Sequence, residues 1–234
     1  MRLLRAVGWT MIWAGGLILA FLVYQLWGTG LIADRAQADA ATTLESYFEG
    51  AVERLVDEGL AVPPDLGESS ADPAVPVLYE EPAPALGTPF ARIEIPAANV
   101  DHIMFEGVTR DVLKNGPGHM EWTPLPGQMG NSVLSGHRTT YGAPFHDLDL
   151  VDIGDEIIVQ SATGAHVFEV REILIVAPDA IEVTDNRLGA WITLTTCHPK
   201  RSAAQRLVIH AELVAGPNFD FAEMMFPDVE GAAS

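Results

Sequence analysis

One thiol has the position expected of a nucleophile. Cys197 is the only cysteine among 234 residues, so an internal disulfide is impossible. It ends the β-rich run WITLTTC (191–197), where a side chain can face a groove. Taken alone, such a cysteine is either a small buried apolar residue or a reactive group. A reactive thiol needs a proton-transfer partner and a donor for the oxyanion that forms on the attacked carbonyl.

Two histidines are candidates for the proton-transfer role. His137 follows a β-rich run and a glycine, and loops at strand ends often carry catalytic groups. His198 is adjacent to the thiol, but Pro199 restricts its backbone. Either could instead be a surface histidine that makes a single hydrogen bond. His166 and His210 lie inside alternating strand patterns, and we interpret them as structural.

Arg206 is the candidate oxyanion donor. It opens the β-rich run that follows the loop HPKRSAAQ (198–205). If the two flanking runs pair as a hairpin, Arg206 lies near Cys197. A guanidinium is charged at any relevant pH and presents several donors in one plane. Lys200 and Arg201, inside the loop, fit ordinary surface residues better.

The region that must position these side chains predicts an all-β fold. Short β-branched runs are separated by Gly, Pro, Asn and Asp, which is typical of a barrel or sandwich. The runs are FARIEIP, NSVLSGH, DEIIVQS, HVFEVREILIV, WITLTTC and RLVIHAEL, all between residues 89 and 215. The stretch RDVLKNG (110–116) predicts one helical turn.

The N-terminus predicts a membrane anchor. Residues 6–33 contain no charged side chain, and an apolar helix of this length can cross about 30 Å of hydrocarbon. Arg2 and Arg5 precede this segment and Asp34 follows it. Because positive charges favour the cytoplasmic side, we expect a single-pass protein with a cytoplasmic N-terminus and residues 34–234 outside.

The alternative is a cleaved secretory signal. The small residues of ADRAQADA (33–40) could serve as a cleavage site. However, the apolar part of a signal peptide usually has about 7–15 residues, and this one is longer. The interpretation as an uncleaved anchor is therefore favoured, and both interpretations export the rest of the chain.

Composition divides the chain into five predicted segments. They are a cytoplasmic stub and anchor (1–33), an amphipathic helix (34–60), a Pro/Ala/acid-rich linker (61–88), a β-rich domain (89–215) and an acidic tail (216–234). The linker composition favours an extended chain that buries no core. We expect the tail to be loosely held. A further hypothesis is that LYEEPAPALG (78–87) covers the groove as a lid.

The charge and the cysteine count exclude several classes of function. The net charge is -19, from 32 acidic and 13 basic residues, so the chain would repel the phosphates of nucleic acid. One cysteine in an exported protein excludes a disulfide scaffold. One cysteine with scattered histidines also lacks the paired spacing of a zinc site. We therefore predict no metal, no other cofactor and no nucleic-acid partner.

The spacing of the candidate residues resembles the signature of the sortase family. TLTTC (193–197) has an arginine nine positions after its cysteine and a histidine sixty positions before it. The pieces GHR, GAPF and TCHP, in that order, are similar to class E sortases of actinobacteria. The resemblance covers residues 89–215. It implies an eight-stranded sortase-type β-barrel and the catalytic residues His137, Cys197 and Arg206.

The resemblance also implies a reaction. Sortases are cysteine transpeptidases that cleave an LPxTG- or LAxTG-like sorting signal between Thr and Gly through a thioester. They then transfer the secreted protein to a cell-wall amine of a peptidoglycan precursor. Thr195, Thr196 and Tyr141 are the candidate substrate-binding residues. Asp147 and Asp149 are not assigned, because the family does not rely on a triad carboxylate.

Two other functions stay open at the level of sequence. A thiol hydrolase would use the same cysteine and histidine but would let water take the acyl group. An inactive, membrane-tethered binding module would need neither residue, and it would tolerate Cys197→Ala without a change in phenotype.

Overall fold

The computed structural model describes residues 2–24, 29–57, 76 and 78–227. Most of the predicted linker (61–75 and 77) and the end of the tail (228–234) lie outside these ranges. Eight strands close into a barrel in the order β1-β2-β3-β4-β7-β8-β6-β5. They are β1 Pro89–Ile95, β2 Val100–Glu106, β3 Gly118–His119, β4 Gly130–Ser135, β5 Glu156–Ser161, β6 Gly164–Val176, β7 Ala190–His198 and β8 Gln205–Ala215. The predicted eight-stranded all-β fold is confirmed.

Four α-helices accompany the barrel among the described residues. They are α1 Arg2–Val23, α2 Thr29–Asp57, α3 Arg110–Leu113 and α4 Phe219–Met225. The helical turn expected at 110–116 is α3. Its first turn is capped by the Thr109 hydroxyl, which accepts a hydrogen bond from the Val112 N–H, as is typical of an N-cap.

Alternation along β7 separates the core from the outer surface. Side chains of a strand point alternately to the two faces of its sheet. Ile192 and Leu194 are fully buried in the barrel core. Thr193, Thr195 and Cys197 therefore share the outer face. The candidate nucleophile thus lies outside the barrel, at the end of a strand whose inner side chains are fixed by packing.

The pairing of three strands brings distant segments to one edge of the barrel. β4 and β7 are parallel neighbours, and Ser135 pairs with Thr195. β7 and β8 form an antiparallel hairpin, in which Cys197 pairs with Arg206. The ends of β4 and β7 and the beginning of β8 consequently lie together. We call this the catalytic edge.

The two N-terminal helices differ in environment. α1 contains Leu4–Val23, and it is the one helix in the described ranges that is long and apolar enough to cross a membrane. α2 begins at Thr29, five residues before the predicted start at residue 34, because the helix continues back into the apolar segment. Its Leu44 packs with Ile103 and Phe105 of β2.

The segment that precedes β1 is held at the opposite end of the barrel. The Asn218 Oδ1 accepts a hydrogen bond from the Tyr79 N–H at 2.8 Å, and its Nδ2 donates to Tyr79 O at 2.9 Å. The same Nδ2 donates to Gly127 O at 2.9 Å. Asn218 lies beyond the end of β8, far along that strand from the catalytic edge. The lid hypothesis is therefore wrong for this part of residues 78–87.

The beginning of the predicted tail is packed. Phe219 and Ala222 of α4 contact the barrel core, and Asn218 is 1% exposed. The expectation of a loose tail is wrong for residues 216–227, because α4 presents apolar side chains to the barrel.

Candidate active site

The strand register aligns the three candidate catalytic residues. The parallel pairing of β4 with β7 ends at Ser135–Thr195, so the loop that begins with Gly136 and His137 leaves β4 at the end of β7 that carries Cys197. On the other side of β7, Arg206 pairs directly with Cys197. Neighbouring strands lie about 4.8 Å apart. Cys197, a half-buried free thiol, thus lies between a histidine loop and an arginine.

The turn that carries His137 is bonded to β7. The Gly136 N–H donates to Thr195 O at 3.1 Å, and Gly136 O accepts from the Thr196 hydroxyl at 2.8 Å. A Cβ at Gly136 would lie 2.5 Å from the Phe145 ring, so only glycine fits without rearrangement. The first residue of the histidine loop is therefore fixed to the nucleophile strand.

His137 is half-buried, and burial lowers its pKa below the ordinary value. Burial has this effect because the charged imidazolium loses more hydration than the neutral ring does. The Tyr141 ring packs against it with ring centroids 5.2 Å apart. The neutral, proton-accepting form of His137 is therefore favoured near neutral pH.

The structure separates the two candidate threonines. Thr195 is half-buried on the outer face that also carries Cys197. Thr196 points to the opposite face, is 3% exposed, and uses its hydroxyl to hold Gly136 O. Thr195 and Tyr141 thus lie at the catalytic edge, whereas Thr196 contacts the protein itself. The role of all three in substrate binding stays a prediction.

Arg206 has donors left for a ligand. Its Nη1 donates to Ala203 O at 3.2 Å and to Gln205 O at 3.0 Å. Among the described residues, its Nε and Nη2 make no hydrogen bond. A guanidinium that is held at one nitrogen and free at two others can donate to an oxygen beside Cys197.

His198 is placed differently from His137. As the residue after Cys197 on β7, it points to the opposite face of the strand. Its Nδ1 is buried and has no hydrogen-bond partner in the part of the chain that the structure describes. The structure does not bring this histidine to the face of the thiol.

Sequence reasoning missed Arg138, which is 2% exposed. Its Nε donates to His146 O at 2.8 Å and its Nη1 donates to Cys197 O at 3.3 Å. Its Nη2 forms an ion pair with Asp149 Oδ1 at 2.7 Å. Arginine is almost never this buried unless it is paired. The residue next to His137 is thus bonded to the backbone of Cys197, and the one available signal was its place in GHR.

Lys200 forms two ion pairs near the site. Its Nζ lies 2.8 Å from Asp147 Oδ1 and 3.2 Å from Asp149 Oδ1, so it is not an unpartnered surface lysine. The hydrogen bond from Lys200 lowers the pKa of Asp147. These pairs tie the β7–β8 loop to the segment that Arg138 also holds. The two aspartates therefore stabilise the loops around the site through these ion pairs.

A buried polar cluster supports the strands behind the thiol. The Thr193 hydroxyl donates to Asn131 Oδ1 at 2.6 Å and bonds His210 Nδ1 at 2.7 Å. The Asn131 Nδ2 donates to Asp185 O at 3.0 Å and to Val183 O at 3.3 Å. Burial lowers the pKa of His210 to about 4, in agreement with its structural interpretation. The cluster fixes the β6–β7 loop to β4 and β7.

Comparison with known proteins identifies the family. Residues 93–214 match the Sortase domain family, which is more than half of the chain. The chain is 29% identical to sortase SrtE1 of Streptomyces coelicolor, over 90% of this chain and 57% of that protein, so it spans little more than half of that relative. It is 26% identical to sortase SrtE2 of the same organism, over 92% of this chain and 83% of that protein. The solved structure of sortase E from Streptomyces avermitilis is 33% identical and superposes with a TM-score of 0.52, over 56% of this chain and 91% of that one. The chain belongs to the sortase family, and within it the chain resembles class E.

Proposed function

We propose that this sortase is a membrane-anchored cysteine transpeptidase. It cleaves an LPxTG- or LAxTG-like sorting signal between Thr and Gly and transfers the secreted protein to a cell-wall amine. The observation that carries the proposal is the placement of Cys197 between the His137 loop and Arg206 on three neighbouring strands. Nucleophile, proton carrier and oxyanion donor are the three parts that acyl transfer requires.

The first half-reaction forms the thioester. Neutral His137 first takes the proton of the Cys197 thiol. The resulting thiolate attacks the threonine carbonyl carbon, and Arg206 donates hydrogen bonds to the oxygen that becomes negative. When the tetrahedral intermediate collapses, the C–N bond to glycine breaks. Protonated His137 gives its proton to the departing amine. The products are an acyl-enzyme on Cys197 and a released peptide with a free amino terminus.

The second half-reaction transfers the acyl group. An amine of a peptidoglycan precursor attacks the thioester carbonyl, and neutral His137 takes a proton from that amine. The C–S bond breaks, and Cys197 leaves as a thiolate. Burial of His137 lowers its pKa, which favours the neutral form that this step needs.

The structure of residues 33–40 favours an uncleaved anchor. The stretch is helical within α2, and Ala33 and Ala40 are each 4% exposed. Gln37 bonds the backbone of Ile103. Cleavage in this stretch would cut a helix that is packed on the barrel. This packing supports α1 as a permanent anchor. Arg2 and Arg5, which precede the apolar segment, support a cytoplasmic N-terminus with the barrel outside.

The anchor has a direct use in this reaction. A secreted protein with a C-terminal sorting signal and a lipid-linked wall precursor both lie at the outer face of the membrane. An enzyme tethered there meets them at a high effective concentration, without any additional contact. The proposal involves no metal or other cofactor. In the described residues, no group of three or more His, Cys, Asp and Glu side chains is arranged to hold a metal ion.

The test uses the full chain in detergent micelles. It is incubated with LAxTG and LPxTG peptides and with a glycine- or diaminopimelate-type amine, and mass spectrometry follows Cys197 and the peptides. We expect an acyl adduct that Cys197→Ala abolishes, together with ligated peptide. Hydrolysed peptide without ligation would indicate a thiol hydrolase. If no adduct formed with either peptide, the binding-module hypothesis would replace the proposal.

A further inference from the structure

The first turns of α2 lie against the loop that follows His137. Ala33 is 4% exposed. If Gly142 carried a Cβ, that atom would lie 3.1 Å from the Cβ of Ala33. A real side chain at position 142 would therefore crowd Ala33. A helix that begins just after the membrane-spanning segment thus contacts the loop of the catalytic histidine.

This loop has an unusual backbone. Tyr141, Gly142 and Ala143 have φ values of 53°, 73° and 47°. All three lie in the left-handed region, which non-glycine residues occupy at an energetic cost. Such a conformation persists only where the surroundings determine it. Within the loop, the Ala143 N–H donates to Thr140 O at 2.9 Å, and outside it Ala33 is the contact at Gly142.

The same loop determines what packs on His137. Tyr141 is adjacent to Gly142, and its ring lies 5.2 Å from the His137 ring, measured between centroids. The Phe145 N–H donates to His137 O at 3.1 Å, which closes the loop on itself. A displacement at Gly142 must therefore move Tyr141, and with it the surroundings of the His137 imidazole.

One turn along α2, Gln37 fixes the helix to the barrel. Its Oε1 accepts from the Ile103 N–H at 2.7 Å. Its Nε2 donates to Ile103 O at 2.9 Å and to Asn115 O at 2.8 Å. Gly116 leaves room for this amide, because a Cβ there would lie 2.4 Å from Nε2. These three hydrogen bonds set the position of the helix turn that carries Ala33.

We propose that α2 is a positioning element of the active site: Ala33, held by Gln37, seats Gly142 and so fixes the loop that holds Tyr141 against His137. The inference rests on the proposed function, since it assigns α2 a part in that reaction. Ala33 lies nine residues after Tyr24, which ends the described part of the membrane segment. The catalytic edge is therefore near the point where the chain leaves the bilayer.

Two variants disturb the contact between Ala33 and Gly142 in different ways. Ala33→Leu inserts bulk directly against Gly142, and Gln37→Ala removes the hydrogen bonds that hold the helix. Each should lower kcat for peptide transfer by about 10-fold, because small displacements of catalytic groups have effects of this size or larger. Ala38→Leu is the matched control, since Ala38 is exposed on the same helix. It should leave kcat unchanged.

A double variant tests the contact itself. Gly142→Ala should lower kcat, and adding Ala33→Gly removes the methyl group that the new Cβ meets. If Ala33 positions Gly142, Ala33→Gly restores part of the activity that Gly142→Ala removes, and the effects of the two substitutions on kcat are not additive. Purely additive effects would show that Ala33 and Gly142 act independently, which overturns the proposal.

The deciding measurement is a spectroscopic one on the full chain in detergent micelles. The His137 imidazole resonances are assigned with His137→Gln and followed in each variant. We expect Ala33→Leu and Gln37→Ala, but not Ala38→Leu, to shift them. A merely structural role would lower the melting temperature and leave these resonances in place. Unchanged resonances would overturn the proposal that α2 positions the His137 loop, whether or not the wild type transfers peptide. Peptide transfer by the wild type tests the proposed function separately.

Discussion

Replacing Arg138 by methionine should destabilise the fold and impair peptide transfer together. Arg138 bonds His146 O and Cys197 O and forms an ion pair with Asp149. Methionine keeps an unbranched apolar stem but removes every donor. The loss therefore affects the backbone of the nucleophile and the segment after the His137 loop at once.

The magnitude follows from the environment of each contact. A hydrogen bond that involves a charged group contributes about 1.5–3 kcal/mol, so the two carbonyl contacts contribute about 3–6 kcal/mol. The Asp149 side chain is 39% exposed and keeps its ion pair with Lys200 at 3.2 Å. The loss of its Arg138 partner therefore adds little to the loss in the free energy of unfolding. Release of the buried guanidinium and burial of the methionine side chain offset part of the loss. We expect a net loss of about 3 kcal/mol in the free energy of unfolding.

Thermal unfolding of the full chain in detergent, followed by circular dichroism, measures this loss. For a chain of this size, about 3 kcal/mol lowers Tm by about 6–12 °C. Arg110→Met, at an exposed arginine of α3, is the matched control and should change Tm little. Arg138→Lys keeps the charge but loses the planar fork, so it should fall between wild type and Arg138→Met. We also expect kcat to fall by about 10–100-fold, because the end of β7 and the segment after the His137 loop are no longer linked through Arg138.

A wild-type Tm for Arg138→Met would refute the reasoning, because it would mean that the buried guanidinium contributes no net stability. A lowered Tm with unchanged kcat would show that Arg138 stabilises the fold without positioning the site.

Two further predictions concern the buried polar groups. Thr193→Val leaves Asn131 Oδ1 and His210 Nδ1 without their partner, so it should lower the free energy of unfolding by about 2–4 kcal/mol in urea titrations. Thr195→Val, on the same face but half-buried, should have a smaller effect, and equal effects would contradict the assignment. Burial lowers the pKa of His166 from 6.5 to about 4, so the folded state binds fewer protons than the unfolded state between these values. The contribution of His166 to stability should therefore be fully present above pH 6.5 and fall by about 3 kcal/mol as the pH drops to about 4. His166→Gln should remove this part of the pH dependence and leave the part due to His210, whose pKa burial also lowers to about 4; an unchanged slope would show that His166 does not contribute.

Strand patterns predicted six of the eight strands. β2 was missed because its burial does not alternate: Ile103, Met104, Phe105 and Glu106 are all buried. α2 covers the outer face of β2, so a two-residue period is lost there. β3 has only two residues, Gly118 and His119, which is too short for any periodic signal. The count of eight came from the family resemblance and not from the pattern.

The site was predictable where it is local in sequence. The pairing of Cys197 with Arg206 follows from one hairpin, and the sequence indicated it. The ion pairs of Arg138 and Lys200 were missed, because an arginine and a lysine in polar loops resemble surface residues until the fold supplies partners. The sequence gives Asp149 no catalytic role, and in the structure it is the shared ion-pair partner of Arg138 and Lys200.

The placement of His137 depends on contacts that no local pattern contains. β4 and β7 are sixty residues apart, and their parallel pairing brings both strand ends to one edge. Gly136 continues this pairing through its hydrogen bonds to Thr195 O and the Thr196 hydroxyl. Arg138 adds a tie from the next residue to Cys197 O. Cys197 and Arg206, by contrast, are paired directly with each other in an antiparallel hairpin. A perturbation of the long-range contacts should therefore disturb the proposed proton transfer by His137 more than it disturbs the pairing of Cys197 with Arg206.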